Sequence, residues 1–163
     1  MLSVDDLRAE VERLAMAARS GRVRSSGNWS VAQMFQHVGR LIEFSFDGCP
    51  FRYPWWLRWP ARVLGAVAWR RMIALAFRPG FRNPPAAAAL EPDQDVPHDT
   101  AAAYIRAQLD RVLQGEQMTQ PGPIGDVRSH DQWVYVHLRH AELHLGFLHI
   151  DEESHRRPVD SRA

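Results

Sequence analysis

The chain has 163 residues, of which 45% are hydrophobic and 24% charged, a composition typical of one folded globular domain. Twenty basic against nineteen acidic residues leave a formal net charge of +1, which excludes a global electrostatic field for binding nucleic acid or an anionic membrane. The single cysteine, Cys49, excludes an internal disulfide.

Apolar residues recur at helical spacing along most of the chain, and polar residues that can cap a helix precede these stretches. Three of the starts have the pattern of a capping box, a serine followed three residues later by Asp or Gln. Prolines interrupt the region after the second helix, so the third helix is placed after Pro60. The predicted helices run from Ser3 to Ser20-Gly21, from Ser30 to about Asp47, from Ala61 to Phe77, from a cap at Asp99 or Thr100 to near Gly115, and from Ser129 to about Ile150.

The connections between these helices are irregular. Residues 22–28 are expected to form a loop, and the proline-rich residues 78–98 an extended crossover in which the alanines 86–89 form at most one helical turn. No alternating pattern long enough for a strand is present. The predicted fold class is all-α, a four-helix bundle over residues 1–150 with long crossover connections and an aromatic, arginine-rich insertion between the second and fourth helices. Residues 151–163 are expected to form a charged, disordered tail.

Three histidines of the last helix share its apolar face. At about 100° per residue, His137, His140 and His144 fall together, whereas the charged residues lie opposite. Buried imidazoles without partners cost free energy, so this stripe predicts several hydrogen bonds or a common metal ion. His140 and His144 are four residues apart and can bind one ion, and His37, on the flank of the second helix's apolar stripe, can supply a third ligand.

Two further residues are candidates for supporting such a site. His137 is expected to make a core hydrogen bond or to support the ligands rather than to coordinate. Gln33, one turn before His37, could orient a ligand or water, or serve only as a helix-cap residue. Three neutral nitrogen ligands with an open position suit Zn²⁺ best, with Ni²⁺, Fe²⁺ and Mn²⁺ as alternatives.

The same residues carry a family resemblance. Asn28-Trp29-Ser30, followed by His37 and by His140-Ala141-Glu142-Leu143-His144, resembles the DinB/YfiT-like superfamily of metalloenzymes. Phe46-Asp47-Gly48 leading into Pro54-Trp55, and residues 80–84, are similar to an uncharacterised branch, a domain of unknown function. The resemblance implies a four-helix bundle with a long crossover, frequently dimeric, in which His37, His140 and His144 bind the metal. It also implies a small-molecule substrate and, as in some relatives, transferase or isomerase activity that uses glutathione, mycothiol or bacillithiol.

The segment from Gly48 to Leu90 contains seven arginines, four tryptophans and no acidic residue. It could bind an anionic partner, such as single-stranded nucleic acid or an anionic thiol, with Arg58 and Arg62 as substrate-binding candidates. Alternatively, the tryptophans complete the core and a dimer interface while the arginines extend to solvent, which is the interpretation that we favour. The competing functions are therefore a non-catalytic module that binds an anionic partner and a metal-dependent hydrolase.

These patterns also lead to expectations about partners and location. The N-terminus begins with acidic, helix-like sequence instead of a basic region and an apolar run, which favours a cytoplasmic protein. Arginines within the third helix argue against a transmembrane segment. We expect a small-molecule substrate, a homodimer as an option, and neither a membrane nor a nucleic acid as partner.

Overall fold

A computed structural model of the chain describes residues 3–78, 80, 85–124, 126 and 128–151. These residues are mostly helical, as expected for an all-α protein, and a small two-stranded sheet is added to the helices. The elements are α1 (Val4–Arg19), β1 (Val23–Ser25), α2 (Val31–Asp47), α3 (Trp55–Ala76), a 3₁₀ helix (Pro85–Leu90), α4 (His98–Leu113), α5 (His130–Leu145) and β2 (Leu148–Ile150).

Capping boxes begin three of the helices, as predicted. The side chains of Ser3, Ser30 and Ser129 each accept a hydrogen bond from the backbone N–H three residues later. The side chain of that later residue in turn accepts a hydrogen bond from the backbone N–H of the serine. The predicted cap of α4 at Asp99 or Thr100 was wrong. The carbonyl of Pro97 already accepts from the N–H of Ala101 at 3.0 Å, so the helix begins directly after this proline, whose φ of −64° suits a helix start.

The predicted start of the third helix at Ala61 was also wrong, because α3 begins at Trp55 and contains Pro60. The carbonyl of Pro54 accepts from the N–H groups of Leu57 and Arg58, both at 3.0 Å, which forms the first turn. Pro60 therefore removes one internal hydrogen bond from a helix that has already begun. A second irregularity lies at Ala68, whose φ of −149° and ψ of 44° are not helical.

The sheet and the end of the last helix differ from the sequence expectation. The helix ends at Leu145, not near Ile150, and the chain then pairs antiparallel with β1, placing Val23 opposite Ile150 and Ser25 opposite Leu148. Strands of three residues are too short to show an alternating pattern. In the predicted tail, the N–H of Asp151 donates to the carbonyl of Arg22 at 2.8 Å, and residues 152–163 lie outside the described part.

The core lies between α2 and the helices packed around it, α1, α4 and α5. Its largest fully buried side chains include Leu7, Leu14, Phe35, Ile42 and Ile105. The alanine-rich 3₁₀ helix lies beside α2, where Leu90 packs with Leu41. This connection therefore borders the same helix that carries His37. In the described part of the chain, no helix is long and apolar enough to cross a membrane.

The close approach of α2 and α4 at Gly39 provides a stability test. A Cβ on Gly39 of α2 would lie 2.8 Å from Cε1 of Tyr104, whose hydroxyl is held by a 2.7 Å hydrogen bond to Glu43. We expect Gly39→Ala to lower the free energy of unfolding by about 2 kcal/mol, because the ring cannot move away without losing that bond. Urea denaturation would measure the change. Gly65→Ala is the matched control, since its Cβ would meet nothing closer than 3.6 Å, and an equal loss in both variants would contradict the packing argument.

Candidate metal centre

Three of the predicted histidines meet at one place between α2 and α5. His37 comes from α2, and His140 and His144 come from adjacent turns of α5. One ring nitrogen from each lies within 4.8 Å of the others, so the three could hold one metal ion. His37 and His140 are buried and His144 is half-buried, which leaves one side of the group accessible.

A backbone contact orients His37 for coordination. Its Nδ1 lies 2.7 Å from the carbonyl oxygen of Leu90, at the end of the 3₁₀ helix. A carbonyl oxygen only accepts hydrogen bonds, so Nδ1 carries the proton and Nε2 keeps its lone pair. This is the usual outer-shell arrangement of a metal-ligating histidine. The sequence does not reveal this role of Leu90, because a backbone carbonyl leaves no signature in residue type.

The unprotonated Nε2 of His37 faces His140. The two Nε2 atoms are 3.0 Å apart, so without an ion Nε2–H of His140 donates a hydrogen bond to the lone pair of His37. This separation is within a few tenths of an ångström of the roughly 3.3 Å that two nitrogens bound to one tetrahedral Zn²⁺ would show. The other ring nitrogen of His140, Nδ1, is buried without a hydrogen-bond partner among the described residues. An imidazole with so few bonds is costly to bury, and an ion between the Nε2 atoms would offset that cost.

Aromatic rings surround the three imidazoles. Trp29 packs against His37 with centroids 4.7 Å apart and stacks on His144 at 5.6 Å, while Phe77 lies 5.0 Å from His140. This burial lowers the pKa of all three histidines. The pKa of His144 falls to about 3, with the neighbouring His37 as a second cause. The rings are therefore neutral at pH 7, and protons do not compete with a metal for their lone pairs.

A cavity of about 420 Å³ opens beside the histidines. Its wall is mainly apolar and includes Leu57, Ala61, Met72 and Ile73 on the inner side of α3. Charged groups also reach it: the buried guanidinium of Arg128 forms a 2.5 Å ion pair with Asp126, and Arg78 lies in the wall. The cavity can therefore take a small, largely apolar molecule with a limited number of polar groups.

The two supporting candidates, His137 and Gln33, make hydrogen bonds of different kinds. The hydroxyl of Ser45 donates to the carbonyl of Ile42 at 2.6 Å, so Nε2–H of His137 donates to that hydroxyl at 3.0 Å. His137 thus makes a core hydrogen bond between α5 and α2. Gln33 bonds the backbone of Ser30 and lies within 3.4 Å of two carbonyls of the crossover, contacts that serve the helix cap and the loop.

The structure also locates the two arginine candidates and the single cysteine. Nε of Arg58 donates to the carbonyl of Ile124 at 3.3 Å, and Arg62 is exposed. Neither is among the residues that line the cavity, whereas Arg78 and Arg128 are. Cys49 is half-buried, and this burial raises the pKa of its thiol, which disfavours a nucleophilic role.

Comparison with known proteins identifies one family. A family model described as "Protein of unknown function (DUF1569)" matches residues 1–151 and so covers the bundle and all three histidines. Neither a curated protein nor a solved structure matches the chain.

Proposed function

We propose that this chain, which belongs to the DUF1569 family of proteins of unknown function, holds one divalent metal ion between His37, His140 and His144. One observation carries the proposal: three neutral ring nitrogens from two helices converge within 4.8 Å at the edge of a cavity. Zn²⁺ fits this donor set best, and Ni²⁺, Fe²⁺ and Mn²⁺ are the alternatives.

The arrangement favours a reactive site over a purely structural one. Structural zinc sites are closed by four protein ligands, whereas three histidines leave a position for water or substrate. The half-burial of His144 and the adjoining cavity support an open position on the accessible side of the group. An ion held there would lower the pKa of a bound water or thiol and so supply a nucleophile at neutral pH.

The protein itself offers little help with proton transfer. Among the described residues of the cavity wall, Asp126 is the only carboxylate, and it is engaged by Arg128. His137, the next histidine along α5, is occupied with Ser45. An ion held by the three histidines would therefore have to activate the nucleophile, which favours a nucleophile that could bind the ion directly.

The reaction that we propose is transfer to, or isomerisation of, a small molecule with the help of a low-molecular-weight thiol. The resemblance to DinB/YfiT-like proteins supports this reaction, and the cavity supports it through Arg78 and Arg128, which can approach the carboxylates of such a thiol. Hydrolysis is the second candidate, because the same open position could activate water.

Cobalt substitution tests both levels of the proposal. Metal-free protein loaded with Co²⁺ is expected to develop the visible absorption bands of a centre with three nitrogen ligands, and His140→Ala should abolish them. Glutathione, mycothiol or bacillithiol at millimolar concentration should then add a sulfur-to-metal charge-transfer band, because a thiolate occupies the open position.

The two levels fail in distinguishable ways. Identical spectra for the wild type and His140→Ala would contradict the metal site itself. Visible bands that none of the three thiols changes would overturn the thiol-dependent reaction and leave the metal site standing. His149→Ala is the control, since this exposed histidine lies outside the group and its loss should leave both spectra unchanged.

A further inference from the structure

The outer side of α3 is the most apolar exposed surface in the described part of the chain. Trp55 is 72% exposed, Trp59 68% and Val67 80%, whereas large apolar side chains are ordinarily covered. Most of the exposed large apolar residues belong to this one helix. The tryptophans of this segment were expected to complete the core and a dimer interface; Trp55, Trp56 and Trp59 lie outside the core, so that half of the expectation was wrong for these three, and the dimer interface stays a prediction.

These residues form a continuous surface, which we call the outer α3 face. Trp55, Trp59, Val63 and Val67 follow one another at four-residue intervals and so lie on one side of the helix. Trp56 and Leu64 are exposed on the following positions and widen that side; the face comprises these six residues. The inner side of α3 is apolar as well and lines the cavity. An exposed apolar surface of this kind often marks a site of interaction with a protein or a membrane, so the outer α3 face calls for a partner.

The segment that contains α3 has charged residues of one sign only. The segment from Gly48 to Leu90 contains seven arginines and no acidic residue, so the other residues, with thirteen basic and nineteen acidic side chains, carry a formal net charge of −6. Arg52, Arg62 and Arg71 are exposed, and none of them forms an ion pair with a residue that the structure describes. The overall charge of +1 is therefore the sum of a strongly basic segment and an acidic remainder of the chain.

This charge decides between the partners that could cover the face. Pairing the outer α3 face with itself in a two-fold dimer would bring two arginine-rich, acid-free segments together, and like charges disfavour that contact. Tryptophan side chains are enriched at the headgroup level of a bilayer, and arginines bind anionic headgroups, so exposed tryptophans beside arginines are typical of a surface that binds an anionic membrane. We propose that the outer α3 face binds the surface of a membrane containing anionic phospholipids. This proposal departs from the expectation that the chain has no membrane partner, because the net charge of +1 does not reveal the local excess of arginine.

The binding mode follows from the helix itself. The tryptophans enter the headgroup region, their amphipathic rings being suited to that depth, while the arginines stay at the phosphates. The inner side of α3 keeps its contacts with the cavity and with α5, where Trp69 meets Tyr135 with centroids 5.1 Å apart. Docking therefore requires no opening of the bundle and does not depend on a bound metal.

Vesicle binding tests this proposal with the full chain. We expect the protein to sediment with vesicles of phosphatidylglycerol and phosphatidylcholine in equal parts, and to bind phosphatidylcholine alone much more weakly. Neutralising Arg62 and Arg71 together, as Arg62→Gln and Arg71→Gln, should weaken binding to the mixed vesicles about twenty-five-fold, because each arginine near an anionic surface contributes about a fivefold factor. The triple variant Trp55→Ser, Trp56→Ser, Trp59→Ser should lose at least as much.

Matched controls separate the outer α3 face from other exposed groups. Met16→Ser removes an exposed apolar side chain on α1, and Arg22→Gln removes an exposed arginine near β1; both should bind like the wild type. Brominated lipids should quench tryptophan fluorescence of the wild type more than that of the triple variant, and circular dichroism would confirm that the variants are folded.

Three results would overturn the proposal. The first is absence of sedimentation with the mixed vesicles at low salt. The second is a dimer in solution that the tryptophan variant converts to monomers, with no vesicle binding, which would assign the outer α3 face to a second copy. The third is binding of a single-stranded oligonucleotide through the same arginines in preference to the vesicles.

Discussion

Zn²⁺ is expected to stabilise the metal-free protein strongly. At a free concentration about a thousand times the Kd, the free energy of unfolding should rise by about 4 kcal/mol, because the ion binds the assembled histidines and not the unfolded chain. His37 and His140 are separated by 103 positions in the sequence, so the unfolded chain cannot present the group. Urea denaturation in a chelator and in buffered Zn²⁺ would measure the difference.

The same measurement on variants assigns the stabilisation to the site. His140→Ala removes one ligand together with its hydrogen bond to His37, so it should be less stable than the wild type in the chelator and should gain little from Zn²⁺. His149→Ala should gain as much as the wild type. A full Zn²⁺ effect in His140→Ala would place the ion elsewhere in the chain.

The metal-free protein is expected to lose stability in mild acid, at pH values above those at which carboxylates titrate. Burial lowers the pKa of His137 and of His144 to about 3, against an ordinary value of 6.5. The folded state therefore binds fewer protons than the unfolded state at intermediate pH. The contribution of each histidine to stability is present above pH 6.5 and is lost progressively as pH falls towards the folded pKa.

The size of this effect follows from the slope of the free energy of unfolding against pH. Each histidine that is protonated only in the unfolded state costs about 1.4 kcal/mol per pH unit, so the two together remove about 5 kcal/mol between pH 6.5 and about 4.5. This loss approaches the whole stability of an ordinary domain. Urea denaturation across that pH range in a chelator would measure the loss of stability. His137→Leu should reduce the slope of the free energy of unfolding against pH by about 1.4 kcal/mol per pH unit, the contribution of one histidine. A free energy of unfolding that stays constant between these two pH values would contradict the burial of the neutral rings.

The features that the sequence predicted are those encoded by local patterns. The capping boxes at Ser3, Ser30 and Ser129 fixed three helix starts, since each depends on residues only three positions apart. The positions of His140 and His144 on one apolar face followed from helical periodicity alone. Their convergence with His37 needed only the assumption that α2 and α5 pack together, which the structure confirms.

The features that the sequence did not predict depend on contacts distant in the chain. The pairing of Val23 with Ile150 joins segments at opposite ends of the described chain and has no local signal. The carbonyl of Leu90 that orients His37 could be recognised only after the 3₁₀ helix was placed beside α2. The exposure of Trp55 and Trp59 ran against their hydrophobicity, because a sequence does not say whether an apolar helix is covered on both sides.

The metal content of the purified protein tests the central claim most directly. Protein reconstituted with Zn²⁺, freed of excess metal and analysed by inductively coupled plasma mass spectrometry should contain one ion per chain. The triple variant His37→Ala, His140→Ala, His144→Ala should contain none, while His149→Ala retains one. Substoichiometric metal in the wild type that the triple substitution leaves unchanged would contradict the account.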